Sequence, residues 1–370
     1  MSDEAVLIAA ISGRALAQSA QRGGYRPLVV DFFGDQDTLQ VARDHVRLTG
    51  GFTTGIAENA LSPALEALVD RHQPIGIVCG SGFEDRPRLL DGIAARWQLF
   101  GNSGKVVSKV KQPESLSAIC GALAIPFPKF SPTKPSDSTG WLAKRIGGAG
   151  GSHVRPAAQP ASGSVYYQRE VHGAPISLLF LADGVRATVV GFSAQWVSPT
   201  ASGPYRYGGA VQPATLAPEI AAALTSAVDR LVAATSLIGL NSADFHVDGE
   251  HFWLLDVNPR PGATLDIFEP LEGSLFALHM GACAGNLAAA PSHPAGAKAA
   301  AIVYAEDDIP SIPAVDWPDW TADRPQPGIA IKAGEPLCTV YAGDELAARA
   351  KAIADERRRV ILSWMGAGRQ

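Results

Sequence analysis

The sequence predicts an α/β protein of more than one domain. Its 370 residues are enough for two or three domains, at roughly 100–200 residues each. In the first hundred residues, short and fully apolar runs alternate with helical stretches, the rhythm of a parallel sheet covered on both faces. Beyond them the pattern changes to a glycine cluster, an antiparallel meander, one long helix and a hairpin, so the chain changes its organisation there.

Each element follows from its own stretch. Val6–Ile11 is a continuous apolar run, Arg14–Gln21 is helical, and Gly23-Gly24 closes that helix. Pro27–Asp31 and Ile75–Cys79 read as further strands, the second after a helix over Ser62–Arg71. No GxGxxG opens a helix after any of these strands, so a dinucleotide fingerprint is absent. A helix over Glu114–Leu123 stops at Ile125-Pro126, and Trp141–Lys144 is a short strand. Ser164–Arg169, Ile176–Leu181 and Arg186–Phe192 form strands, the last two as a meander about Ala182-Asp183-Gly184. Pro218–Ile238 carries apolar residues at Ile220, Leu224, Val228, Leu231 and Val232 and predicts one long helix. Ser242–Val247 and Phe252–Val257 form a hairpin about Asp248-Gly249-Glu250. Pro291–Lys298 reads as a linker, followed by strands at Ala301–Tyr304 and Leu337–Tyr341 and a helix over Glu345–Arg358.

Composition narrows the class. With 31 Lys+Arg against 36 Asp+Glu, the formal charge is −5, so no basic excess exists for a nucleic-acid backbone. A 46% hydrophobic and 18% charged chain predicts a large core. The four cysteines (Cys79, Cys120, Cys283, Cys338) are far apart with no CxxC pair, which fits reduced thiols better than disulfides or a zinc knuckle. Asp3 and Glu4 precede the first apolar run where a secretory leader carries positive charge. No run reaches 18 apolar residues. The expectation is a soluble, cytoplasmic protein with no membrane partner.

Two features can carry chemistry. On the hairpin, Asp256 and Asn258 are two apart and share a face, and Asp244 can stand opposite them. Two carboxylates and an amide oxygen make a hard-oxygen set of the kind Mg²⁺ shares with phosphates; the plainer reading is a pair of aspartates capping a turn. Pro259-Arg260-Pro261-Gly262 follows directly, a rigid loop presenting one arginine suited to an anionic group. The second feature is Gly147-Gly148-Ala149-Gly150-Gly151 after the strand ending in Lys144. Such a run lets backbone N–H groups wrap phosphate oxygens, or serves only as a flexible turn. It is not a Walker loop.

Lys144 before the glycine-rich loop, Gln168-Arg169-Glu170-Val171, Asp244-Phe245 and Leu255-Asp256-Val257-Asn258-Pro259-Arg260 occur in an order that resembles the ATP-grasp superfamily. With Gly80–Asp85 and Tyr207–Ala210, the chain most resembles ATP-dependent carboligases related to biotin carboxylase and carbamoyl-phosphate synthase. The resemblance implies a Rossmann-like pre-ATP-grasp domain over 1–108, a two-lobed α+β ATP-grasp domain over 109–290, and a small C-terminal α/β extension over 291–370. It implies that Lys144 and a second lysine, Lys111 with Lys109 as alternative, hold nucleotide phosphates under Gly147, Gly148, Gly150 and Gly151. Gln168, Arg169, Glu170 and Val171 would form the hinge meeting adenine. Asp244, Asp256 and Asn258 would hold Mg²⁺ (Mn²⁺ as substitute), and Arg260 would stabilise the charged intermediate. One departure stands out: Gly173–Ile176 offers no acid for the ribose hydroxyls.

The implied activity is an ADP-forming ligase that joins a carboxylate to an amine through an acyl phosphate, with ATP as co-substrate. The resemblance points further to amino-acid or glutamate ligation in biosynthesis of tetrahydromethanopterin- or methanofuran-type one-carbon cofactors, and to a homodimer. A bicarbonate-activating, carboxylase-like enzyme is the alternative within the class, and a non-catalytic ATP-binding regulator lies outside it. Among other residues, His153 and His172 flank the glycine loop and hinge, His246 and His251 read as solvent-facing, and Tyr205-Arg206-Tyr207 either binds substrate or packs on the core.

Overall fold

Alternation along single strands decides which residues meet which layer. The computed structural model describes residues 3–50, 55–161 and 163–367. The N-terminal unit contains β1 (Ala5–Ala9), α1 (Arg14–Arg22), β2 (Arg26–Asp31), α2 (Gln36–Val41), β3 (Asp44–Arg47), α3 (Glu58–His72), β4 (Ile77–Cys79) and α4 (Pro87–Ala94). Its strands pair in parallel in the order β3-β2-β1-β4. Leu7, Leu28 and Ile77 point to one face and pack with Leu61, Leu65 and Leu68 of α3. Ile8, Val29 and Val78 point to the other and join a core shared with the rest of the chain. Each such fully buried side chain contributes roughly 1.5–3 kcal/mol.

Two short helices lead out, α5 (Gly104–Lys111) and α6 (Pro113–Ala122). Ser103 accepts the Val106 N–H and caps α5. Gln112 is extended ahead of Pro113, which stops α5 at Lys111 and starts α6. Gly104 is required by close approach, since a Cβ there would lie 2.1 Å from the Pro87 carbonyl oxygen.

A small lobe follows, with β5 (Phe130–Ser131), β6 (Trp141–Arg145), β7 (Arg155–Pro156) and β8 (Val165–Arg169) in the antiparallel order β5-β8-β6-β7. The remainder builds on one large sheet: β9 (Ala174–Asp183), β10 (Ala187–Val197), β11 (Tyr207–Gln212), α7 (Pro218–Thr235), β12 (Ile238–Asp248), β13 (His251–Asn258), α8 (Leu265–Phe268), α9 (Leu275–Cys283), β14 (Ala297–Tyr304), β15 (Thr321–Ala322), β16 (Pro336–Asp344) and α10 (Ala347–Ala367). The order is β13-β12-β9-β10-β11-β14-β16-β15, antiparallel throughout. Leu178 and Phe180 face α7 with Phe245 and Leu254. Leu179 and Leu181 face the opposite way, toward α1 and α9. The α/β architecture expected from the sequence is the one observed.

Two expectations need correction. The long helix ends at Thr235 instead of Ile238, because Ser236 adopts a left-handed conformation (φ 63°) and the chain turns into β12. The linker expected over Pro291–Lys298 ends inside β14, where Ala297 and Lys298 already pair with Asp344 and Gly343. Through β14 and β16 the C-terminal residues continue the large sheet. Among the described residues no helix is long and apolar enough to cross a membrane.

Candidate active site

The register of β12 with β13 sets Asp244 directly opposite Asp256, and Ser242 opposite Asn258. Opposed residues share a face, so Asp244, Asp256 and Asn258 stand together. A register irregularity follows at Asp244/Phe245; such bulges re-aim side chains next to functional sites. On the neighbouring strands β9 and β10, Ser177 donates to Asp244 Oδ1 at 2.7 Å and Gln195 Nε2 reaches the same oxygen at 3.4 Å. Asn258 Nδ2 donates to Asp244 Oδ2 at 2.9 Å. Burial, and then the like charge of Asp256, push the Asp244 carboxyl above its ordinary range.

Lys111 reaches this group from the end of α5. Its Nζ donates to both Asp256 oxygens at 2.9 and 2.8 Å and to the Val257 carbonyl at 3.2 Å. Of the two lysines left open by the sequence, Lys111 is thus the one at the carboxylates. Lys144 arrives from β6 on the small lobe and donates to Gln168 Oε1 at 3.1 Å and the Leu255 carbonyl at 3.5 Å. Enclosure pulls its ammonium down, yet Tyr166 and Asp256 outweigh it and hold the group above the usual lysine value.

Arg260 follows β13, where its Nε donates to Glu84 Oε1 at 2.7 Å. The Gly82 N–H donates to the other Glu84 oxygen, also at 2.7 Å. Burial works against the Glu84 charge, but Arg260, then Lys111, then the Gly82 N–H hold it below the usual carboxylate range. Glu84 received no role from the sequence, although Gly80–Asp85 carried part of the resemblance. Ser177 and Gln195 had no sequence signal at all.

The glycine loop lies across these residues. Gly147 is left-handed (φ 69°), and a Cβ there would come within 2.5 Å of Asp85 Cα. At Gly151 (φ 72°) a Cβ would meet the Tyr205 carbonyl oxygen at 2.0 Å. The loop is further tied by the Tyr207 N–H, which donates to the Gly150 carbonyl at 2.9 Å. His153 packs beneath it against Gly148. Burial, then the charge of Lys144, depress the imidazole pKa to about 4, so it is neutral at pH 7. Its Nδ1 is buried without a hydrogen-bond partner, as is Gln168 Nε2.

The hinge residues divide. Gln168 faces Lys144, whereas the exposed Arg169 turns to the Thr139 carbonyl at 2.8 Å. Glu170 accepts from the Tyr205 hydroxyl at 2.8 Å, which gives that tyrosine a bridging position between hinge and large lobe. His246 is half-buried and its Nδ1 meets the Val171 carbonyl at 2.8 Å, so it braces the hinge and does not face solvent.

Among the described residues no cluster of three or more His, Cys, Asp and Glu side chains could hold a metal. The set expected from the sequence offers two carboxylates, opposed in register, and the Asn258 amide oxygen. Such a sparse, all-oxygen set fits Mg²⁺ bound jointly with phosphate groups. The two unpartnered polar atoms beside Lys144, Lys111 and Asp256 fit a polar ligand in the same place.

Residues 108–264 match the family model described as the ATP-grasp domain. None of the curated proteins matches the chain. Among solved structures, biotin carboxylase from Campylobacter jejuni, in complex with an ATP analogue, is similar with a TM-score of 0.73 at 15% identity, over 98% of this chain and 95% of that one. The biotin carboxylase domain of 2-oxoglutarate carboxylase from Hydrogenobacter thermophilus, a dimer with MgADP and bicarbonate, gives 0.74 at 12% identity over 95% and 89%. N5-carboxyaminoimidazole ribonucleotide synthetase from Thermotoga maritima gives 0.67 at 12% identity over 96% and 98%. The chain thus carries an ATP-grasp domain over residues 108–264, within a fold like that of biotin carboxylase and related ATP-grasp enzymes.

Proposed function

We propose that this protein is an ADP-forming ligase that activates a carboxylate as an acyl phosphate and joins it to an amine. The observation that carries the reading is that Asp244 and Asp256 stand opposed in register, with Lys111 bonded to Asp256, Lys144 within the field of both aspartates and Arg260 within that of Asp244. Phosphoryl transfer asks a protein mainly to align the reactants and neutralise developing charge, and this group of residues is suited to that.

ATP with Mg²⁺ would supply the activated phosphoryl group and a divalent charge on its oxygens. Asp244, Asp256 and Asn258 are the residues to hold the metal. Lys111 then exchanges its bond to Asp256 for phosphate oxygens, and Lys144 exchanges Gln168 for the same. Backbone N–H groups of Gly147–Gly151 cover the phosphates and exclude water. Arg260, fixed by Glu84, faces the substrate end of the site. There it neutralises first the carboxylate and then the tetrahedral oxyanion formed when the amine attacks the acyl phosphate, which collapses to the amide as phosphate leaves. The amine and carboxylate are small molecules; amino-acid or glutamate ligation in one-carbon cofactor biosynthesis remains our substrate proposal.

A second reading is favoured by the fold shared with carboxylases, one of them solved with bicarbonate: here bicarbonate would be the activated carboxylate. The test is ADP release from ATP–Mg²⁺ against pooled carboxylates, with and without pooled amines, and against bicarbonate alone. Release that needs both pools supports the ligase, and release with bicarbonate alone supports the second reading. Asp256→Asn should lower kcat by at least ~10²-fold; near wild-type turnover in that folded variant removes the metal assignment. Stabilisation by ATP without any ADP would mark a nucleotide-binding regulator.

A further inference from the structure

In the Tyr205-Arg206-Tyr207 segment, which leads into β11, two side chains are engaged. The Tyr205 hydroxyl donates to Glu170 at 2.8 Å. Arg206 lies 3.6 Å over the Tyr304 ring and donates to the Ser198 carbonyl at 2.9 Å, the Ser198 hydroxyl at 3.2 Å and the Gly334 carbonyl at 3.1 Å. Tyr207 differs. Its backbone is held on both sides: the N–H donates to the Gly150 carbonyl in the glycine loop and the carbonyl accepts the Tyr304 hydroxyl, each at 2.9 Å. Among the described residues its own hydroxyl makes no hydrogen bond.

Strand alternation fixes where Tyr207 faces. It packs against the core that contains Leu179, Leu240 and Ala210. Leu179 pairs with Ser242, and Ser177 with Asp244. Residues two apart share a face, so Tyr207 stands on the face of the large sheet that carries Ser177 and Asp244. Gln195, opposite Ala210 on β10, reaches Asp244 on that face. Just beyond it the register shifts between Trp196 and Val197, where Val197 pairs with Tyr207; such an irregularity re-aims a side chain. The phenol lies in the field of Asp244 and Asp266, and burial, then Asp244, push it above the ordinary tyrosine value. At neutral pH it therefore stays protonated and can donate. Arg260 lies in the field of Asp244 as well.

We propose that Tyr207 is a substrate-contacting residue, its hydroxyl donating to the carboxylate that is activated, at the oxygen that becomes the acyl-phosphate carbonyl. Arg260 supplies charge to that carboxylate, and Tyr207 supplies direction. A neutral hydroxyl suits the place: an ammonium there would be drawn onto Asp244 and Asp266, and an acid would be repelled by them. The assignment rests on the ligase reading, with an organic acid or bicarbonate as the carboxylate.

The test compares wild type and Tyr207→Phe in ADP release from ATP–Mg²⁺, with pooled amines present throughout. Pooled carboxylates with bicarbonate are varied first, then ATP. Tyr207→Phe keeps the ring and removes one donor to a charged acceptor. The kcat/KM for the carboxylate pool should fall at least tenfold, while KM for ATP stays within about twofold of wild type. A purely structural role would not separate the two substrates in this way. Cooperative unfolding checks the fold of the variant; if it fails, Tyr207→Met, whose flexible side chain also lacks a donor, carries the test. An unchanged kcat/KM for the carboxylates in the folded variant, or a loss confined to KM for ATP, would overturn the proposal and leave the ligase reading standing. No ADP release by wild type with any carboxylate or bicarbonate would overturn both.

Discussion

Two places in this molecule bury a cation against carboxylates, and they differ in what is left over. Around Arg14, every donor nitrogen is used: Nε and Nη2 reach Asp323 at 3.0 Å each, Nη1 and Nη2 reach Asp266, and Nη1 also meets Gln18. Asp323 in turn accepts from Thr339 and Ser12. Charges from α1, α8 and the segment before β16 are locked into one closed network. At the hairpin end, Lys144 rests on neutral oxygens, Asp244 and Asp256 repel one another, and Gln168 Nε2 and His153 Nδ1 have no partner. A saturated charge cluster holds a fold together, whereas an unsaturated one is kept ready for something else.

That contrast can be broken by substitution. Arg14→Met removes a buried cation from two partly buried acids and should cost about 3–5 kcal/mol of unfolding free energy, read by denaturant titration. A folded Arg14→Met protein with wild-type stability would remove the distinction. Lys144→Met should do the opposite, changing stability by less than about 1 kcal/mol while lowering kcat by at least ~10²-fold, or about 2.7 kcal/mol.

A pH titration sharpens the comparison at a buried histidine outside both clusters. His279 accepts the Leu240 N–H at Nδ1 and meets the Phe100 carbonyl through Nε2, so only the neutral ring satisfies both. Burial depresses its pKa to about 4. A depressed histidine favours the folded state fully above the unfolded value near 6.5, and the contribution falls away as pH drops from there toward 4. Relative to His279→Gln, wild type should lose on the order of 2 kcal/mol more across that window, measured by urea unfolding at each pH. The smallest effect belongs to Tyr205→Phe. Losing the bond to Glu170, worth roughly 0.5–1.5 kcal/mol, should raise the KM for ATP about three- to tenfold with kcat nearly unchanged.

Sequence reading went furthest where the signal was local. The apolar runs at β1, β2 and β4 and the hairpin of β12 and β13 were legible because strand periodicity and turn residues lie side by side in the chain. The closeness of Asp244, Asp256 and Asn258 followed from the same hairpin. Glu84 was not legible as the partner of Arg260, because 176 residues separate them and only the packing of the N-terminal unit brings them together. Ser177 reaches Asp244 through the register of β9 on β12, which no local pattern encodes. The end of α7 was misplaced because Leu237 and Ile238 continue an apolar pattern while the backbone at Ser236 has already reversed.

Gly104 fixes more than a helix start. Its N–H donates to Asp91 at 3.0 Å, on α4, while the far end of α5 delivers Lys111 to Asp256. Lys111 therefore travels with the N-terminal unit and the large sheet, whereas Lys144 travels with the small lobe on β6. Swinging that lobe outward would pull the two ammonium groups apart and thin the local positive field. An arrangement with the two halves together would draw an anion more strongly than one with them apart.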